Sequence, residues 1–221
     1  SSGRAEPAYR GEPAGTEMAV QEDDPPVKNK KKKSGPRGDA PDGPDESARI
    51  EGYGDDILRF VEPIAGVAFL EIRGNPGAGY FAVWTLSPAL EQDDLLVNTA
   101  SPYSGVCLIG LQGPVAALQM SATGSWDVRL VAPSELPTLS AEVAGNGDSV
   151  IFLQDDFEPL AAANILRVNA QSEGNITLWV YGEVTELLVN DLNWYSGAVV
   201  IPAGGQYLVL TCEGPWSLSP E

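Results

Sequence analysis

The chain contains no histidine. That absence removes the Ser-His-Asp and Cys-His nucleophile systems and every His-ligated metal site. Cysteine is nearly absent as well. Cys107 and Cys212 are the only two in 221 residues, they lack C-x-x-C spacing, and each sits in an apolar, strand-like run. They read as two buried free thiols, and two cysteines alone do not establish a disulfide. Basic residues are scarce: 13 Lys and Arg against 31 Asp and Glu give a net charge of −18. All five lysines fall between Lys28 and Lys33, and from Glu51 onward only Arg59, Arg73, Arg129 and Arg167 stand against 21 carboxylates. Such a surface repels phosphate backbones and anionic lipid, which argues against nucleic acid as a partner of the body. No apolar run approaches the ~18 residues of a membrane span, so direct membrane insertion by this segment is not expected. No segment holds a sustained hydrophobic period of about 3.6 residues, so long amphipathic helices are not expected.

What is present divides the chain in two. Residues 1–50, rich in Pro, Gly, Asp and Glu as in "PDGPDESA" at Pro41, hold little that could form a core and read as a disordered tail or linker. Its "KNKKKK" run at Lys28 reads as a solvated linker; contact with an anionic surface, or a place beside a membrane anchor, is the alternative. From Gly52 onward, short runs of Val, Ile, Leu, Phe, Tyr and Trp are separated by Gly, Pro, Asn and Asp at intervals of eight to twelve residues. This is the pattern of an all-β sandwich or barrel.

The body also repeats itself. "LLVNTASPYSG" at Leu95 answers "LLVNDLNWYSG" at Leu187. "GYGDDILRF" at Gly52 answers "GNGDSVIFL" at Gly145, "YFAVWTL" at Tyr80 answers "NITLWVY" at Asn175, and "LQMSATGSWDV" at Leu118 answers "LVLTCEGPWSL" at Leu208. The order is the same in both copies. The expected architecture is therefore all-β: two tandem, internally repeated small antiparallel β-sandwich units, 52–132 and 145–221, joined by "PSELPTLSAEVA". In the first unit, strands are expected near 55–61, 66–73, 79–86, 94–98, 103–110, 115–122 and 125–131.

The repeated residues have structural and functional readings. Asn98 and Asn190 end a strand in each copy, where Asn bonds its own following backbone. Trp126 and Trp216 head the last strand of each copy and read as core residues, as do the paired Trp84 and Trp179. Trp194 is different, because its counterpart is Pro102 and the fold does not require an aromatic there. Trp194, Tyr195 and Tyr103 are accordingly the candidate ligand-binding residues, a stacking platform for a sugar or peptide. Asp55 and Asp56 are candidate Ca²⁺ ligands, since Ca²⁺ takes six to eight oxygens, with turn capping as the competing role. The pairs Asp93/Asp94 and Asp155/Asp156 carry the same two readings. No other cofactor is expected.

The succession G-x-G-D, an aromatic strand near Trp, L-L-V-N…Y-S-G and G-x-W resembles the tandem β-repeats of uncharacterised bacterial proteins that are exported or membrane-anchored. A fainter similarity, in the G-D start and the strand rhythm, is to the β-sandwich domains that follow bacterial secreted peptidases (pre-peptidase C-terminal domains). The resemblance implies a bacterial, extracytoplasmic protein, secreted or anchored in the cell envelope. It supplies no catalytic residue. The function expected is a non-catalytic structural, adhesive or accessory binding module with a protein or glycan partner; the alternative is a carbohydrate-binding module using the aromatics of the second repeat.

Overall fold

The computed structural model describes residues 49–153 and 165–221, which belong to one compact unit, Asp42–Glu221. The Lys28–Lys33 run, most of the expected tail, and the pair Asp155/Asp156 lie outside the described residues.

The fold is all-β, with antiparallel sheets throughout. The first half contains β1 (Ile50–Tyr53), β2 (Asp56–Ile64), β3 (Ala68–Gly74), β4 (Phe81–Leu86), β5 (Gln92–Thr99), β6 (Tyr103–Ile109), β7 (Val115–Ala122) and β8 (Ser125–Val131). A short 3-10 turn at Pro133–Glu135 leads to the second half. There follow β9 (Val143–Asn146), β10 (Ser149–Phe152), β11 (Ile165–Gly182), β12 (Thr185–Val200), β13 (Gly205–Thr211) and β14 (Pro215–Pro220). The period-2 pattern explains the strands: Trp216 and Leu218 face inward on β14, and Leu166, Val168 and Ala170 do so on β11.

In the first half the sheets run β1-β8-β3-β6 and β2-β7-β4-β5. Leu70, Ile72 and Val128 from one meet Phe81, Val83, Leu118 and Met120 from the other in a single core, a sandwich-like arrangement. A fully buried side chain of this size contributes about 1.5–3 kcal/mol. The second half has its own core, built around Leu166, Val168, Ile176, Leu178, Leu208 and Leu218. A third cluster joins the halves: Phe69, Leu108, Val131 and Leu136 pack with Val150, Phe152, Tyr207 and Val209. The Phe69 and Tyr207 rings sit 5.2 Å apart at a tilt of 55°, within the favourable range for aromatic pairs.

The pairing registers recur between the halves. Phe69 opposes Leu108 and Gly74 opposes Tyr103 across β3–β6; Ile165 opposes Val200 and Ala170 opposes Tyr195 across β11–β12. Asn98 opposes Ala82, as Asn190 opposes Thr177, and a register shift follows at Trp84 as it does at Trp179.

Three features differ from the sequence reading. An additional strand, β1, begins at Ile50, ahead of the expected first strand, and Arg49 beside it bonds Glu71 at 2.8 Å and pairs with Asp127. Ile50–Tyr53 has no apolar alternation, and its place is set by pairing with β8. Second, β11 and β12 are single strands of 18 and 16 residues that span what β3–β4 and β5–β6 do separately in the first half. "GNPGAG" breaks the chain there, with Asn75, Ala78 and Gly79 at positive φ. The corresponding part of β11 has neither its Pro nor its positive-φ residues, and absorbs its extra residues as an irregularity between Gln171 and Asn175. Third, Trp84 and Trp179 are not core centres. They are half-buried on the strand faces opposite Val83 and Leu178, because the two-residue period sends neighbours to opposite sides.

Candidate functional site

The two G-x-G-D segments make the same local structure. Gly54 N–H donates to the Gly124 carbonyl at 3.0 Å, and Gly147 N–H to that of Gly214 at 3.1 Å. The indole N–H of Trp126 donates to the Gly54 carbonyl at 3.0 Å, and that of Trp216 to the Gly147 carbonyl at 2.9 Å. Asp55 accepts the Ala122 N–H at 2.9 Å; Asp148 accepts the Cys212 N–H at 2.8 Å. Both tryptophan rings lie buried against a glycine, Gly52 or Gly145, where a Cβ would run into the indole. The spacing of this motif is thus a clamp, in which a tight turn places one carbonyl over the tryptophan and one carboxylate over a strand-end amide.

Asp148 does more than Asp55, because it faces the first half. Its second oxygen accepts the Tyr103 hydroxyl at 2.8 Å, and Tyr103 Oη also lies 3.3 Å from Cys107 Sγ. Val106 N–H donates to the Asp148 carbonyl at 2.9 Å. Burial pushes the Asp148 carboxyl above its ordinary range, and the bonds from Tyr103 and Cys212 only partly offset this. Burial also raises the Tyr103 hydroxyl well above its usual value and pushes the Cys107 thiol up to about 12, with the Asp148 charge adding to it. Cys107 and Cys212 are both buried and free. A thiol held so far above neutral pH is a poor nucleophile.

Beside this seam a groove of about 1050 Å³ opens between the halves. Its first-half wall is the segment from Leu95 to Ser104, and its second-half wall includes Gln171–Glu173, Asn193 and Trp194, so both copies of the L-L-V-N…Y-S-G motif meet there. Tyr103 and Asp148 line it; Trp194 stands at its edge, 63% exposed. Asn193, at φ 66°, makes the bend that carries Trp194 outward, in the left-handed region that Asn tolerates. Ser172 Oγ accepts the N–H groups of Gly174 and Glu213, each at 3.2 Å, and so ties β11 to the turn between β13 and β14 at the rim. The described lining mixes amide, hydroxyl, carboxylate and aromatic groups with aliphatic ones such as Leu95, Leu96 and Pro102, and has no Lys or Arg. Such a surface suits a neutral or cationic polar ligand and opposes an anion.

Of the candidate binding residues, Trp194 and Tyr103 share this groove, and Tyr195 does not line it. Tyr195 instead packs on the core of the second half, its ring over Gly197 as Tyr103 lies over Gly105. Asp55 and Asp56 bond backbone amides, Ala122 N–H and Ile57 N–H, and among the described residues no group of three or more metal-ligating side chains gathers. Asn98 and Asn190 depart from their expected role. Both are exposed within their strands, and neither makes a side-chain hydrogen bond among the described residues. Val97 and Val189 turn into the cores, so the adjacent amides must face outward. Asp148 and Cys107 escaped the sequence reading as site residues. The match of "GNGD" to "GYGD" marks Asp148 as special, but not the tyrosine it meets.

No protein-family model matches the chain, and no curated protein matches it.

Proposed function

We propose that the protein is a non-catalytic, extracytoplasmic binding module, accessory or adhesive in role, whose groove between the halves receives a glycan. One observation carries this reading: an exposed tryptophan at the edge of a groove lined by amides and carboxylates, at a position where the other copy has proline. Sugar rings present C–H faces to an aromatic plane and hydroxyls to amide and carboxylate oxygens, and a pocket fixes orientation with a few placed polar groups. Asn98, which makes no side-chain hydrogen bond among the described residues, lines the groove and could read a hydroxyl. The Tyr103–Asp148 bond holds the wall in place.

A glycan array followed by calorimetry tests this. Trp194→Ala is expected to weaken binding by about tenfold or more, a loss of ~1.4 kcal/mol or greater. Its thermal melt should stay close to that of the parent, because the side chain is largely in water. Unchanged glycan binding by the variant would remove the groove from the function.

A further inference from the structure

We propose that the protein self-associates head to tail, the open edge of β12 in one copy receiving the Gly54–Leu58 segment of the next. The seam inside the chain supplies the template. There, β6 of the first half meets the start of β10 of the second: Tyr103 donates to Asp148, Val106 N–H bonds the Asp148 carbonyl, and Leu108 packs with Val150. The shared registers identify the corresponding residues at the two free ends. Tyr195, Ala198 and Val200 on β12 occupy the places of Tyr103, Val106 and Leu108. Asp55 and Ile57 occupy the places of Asp148 and Val150.

The exposures of these pairs differ sharply. Leu108 and Val150 are 8% and 1% exposed; Val200 and Ile57 are 63% and 49%. The same two positions are apolar in both copies, buried where a neighbour is present and open where none is. Tyr195 carries its hydroxyl over Gly197 in the geometry of Tyr103 over Gly105, and it has no hydrogen-bond partner among the described residues. Asp55 likewise has one bonded oxygen and one without a partner among the described residues. β12 pairs only with β11 among the described strands, so its outer edge is open for extension. The contact would be weaker than the seam, since Tyr207 and Phe152 correspond to Ala117 and Arg59. It is also heterologous, so it makes open arrays or rings instead of a closed pair.

Sedimentation velocity on the full chain, from micromolar to millimolar concentration at physiological ionic strength, tests this. The sedimentation coefficient should climb with concentration past the dimer. Val200→Lys and Ile57→Lys, both at exposed positions, should each abolish the climb with unchanged circular dichroism. An equimolar mixture of the two variants should recover dimers and nothing larger, because only one productive pair of ends remains. A single monomeric species at every concentration, an association that either variant retains, or a mixture that forms no dimer would overturn the proposal.

Discussion

The two halves share their registers and their G-x-G-D clamp, yet they meet the outside differently. On the first half, Glu71 sits under three arginines, Arg49, Arg73 and Arg129, and Arg129 reaches on to Glu135 at 2.8 Å. On the second half the matching position is Arg167, paired with Glu221, and Asn169, Ser217 and Ser219 stand in the places of Arg73, Asp127 and Arg129. The cores keep apolar side chains at matching positions while changing their shape, as Phe81 against Ile176 and Met120 against Leu210 show. The outer faces diverge because an exposed ion pair contributes only about 0–1 kcal/mol. The comparison teaches that the clamp and the inward-facing positions common to both halves hold each together, while an exposed residue present in only one of them, such as Trp194, is not required by the fold.

The most forceful way to break this equivalence is to remove the tryptophans. Trp126→Ala and Trp216→Ala are each expected to cost about 3–5 kcal/mol, since a buried ring and its hydrogen bond are lost together. Urea melts of the two variants should agree within about 1 kcal/mol; a much larger gap would mean that the two clamps are not equivalent.

Next come the two aspartates, which the halves do not use alike. Asp148→Ala strands the Tyr103 hydroxyl and the Cys212 amide and should cost roughly 2–3 kcal/mol, while Asp55→Ala, at an exposed site with one bond, should cost about 1 kcal/mol or less. The pH dependence sharpens the contrast. The folded carboxyl of Asp148 lies above its unfolded value, so the native state binds that proton more tightly. Its contribution is fully present below the ordinary carboxylate range and is lost as pH rises through the raised value. Burial raises Glu71 as well, but the hydrogen bonds from Arg129, Arg49 and Arg73 outweigh it and hold the carboxyl below its usual range. The stability it contributes is present above the ordinary value and lost as pH falls through the folded one. Melting temperature against pH should therefore change in opposite senses in Asp148→Asn and Glu71→Gln, each relative to the parent. Parallel profiles would contradict the assignment.

The smallest effect belongs to the asparagines of the repeated eleven-residue motif. Asn98→Ala and Asn190→Ala should each leave stability within roughly 0.5 kcal/mol, as expected for exposed side chains without partners among the described residues. A loss of 2 kcal/mol in either, by the same melts, would require a bond that the present geometry lacks.

Much of the fold was legible in the sequence because it is local. Alternation placed the strands from Asp56 to Val131, and the G-x-G-D and G-x-W spacings pointed to Trp126 and Trp216. Three things were not legible. The orientation of Trp84 and Trp179 depends on a face that the pattern leaves open when both neighbours are apolar. The strand at Ile50 exists through pairing with β8, 78 positions away at the Val128 contact. The seam joins Tyr103 to Asp148 across 45 residues, and nothing near either announces the other. Trp194 could be singled out because its counterpart is Pro102, but its groove required both walls.

The continuous β11 and β12 bear on how the chain reaches this state. They are joined only by Glu183 and Val184, and their pairing runs from Tyr181↔Thr185 outward to Ile165↔Val200. In the first half the strands they match are four separate pieces, and β3 must wait for β6, beyond two intervening strands. Loop-closure entropy falls least on contacts close in sequence, and a hairpin zips in about 1–10 μs. The second half is therefore expected to supply the folding nucleus, the β11–β12 ribbon, with the first half condensing onto it later. Φ-values high along β11–β12 and low along β3–β6 are its kinetic signature.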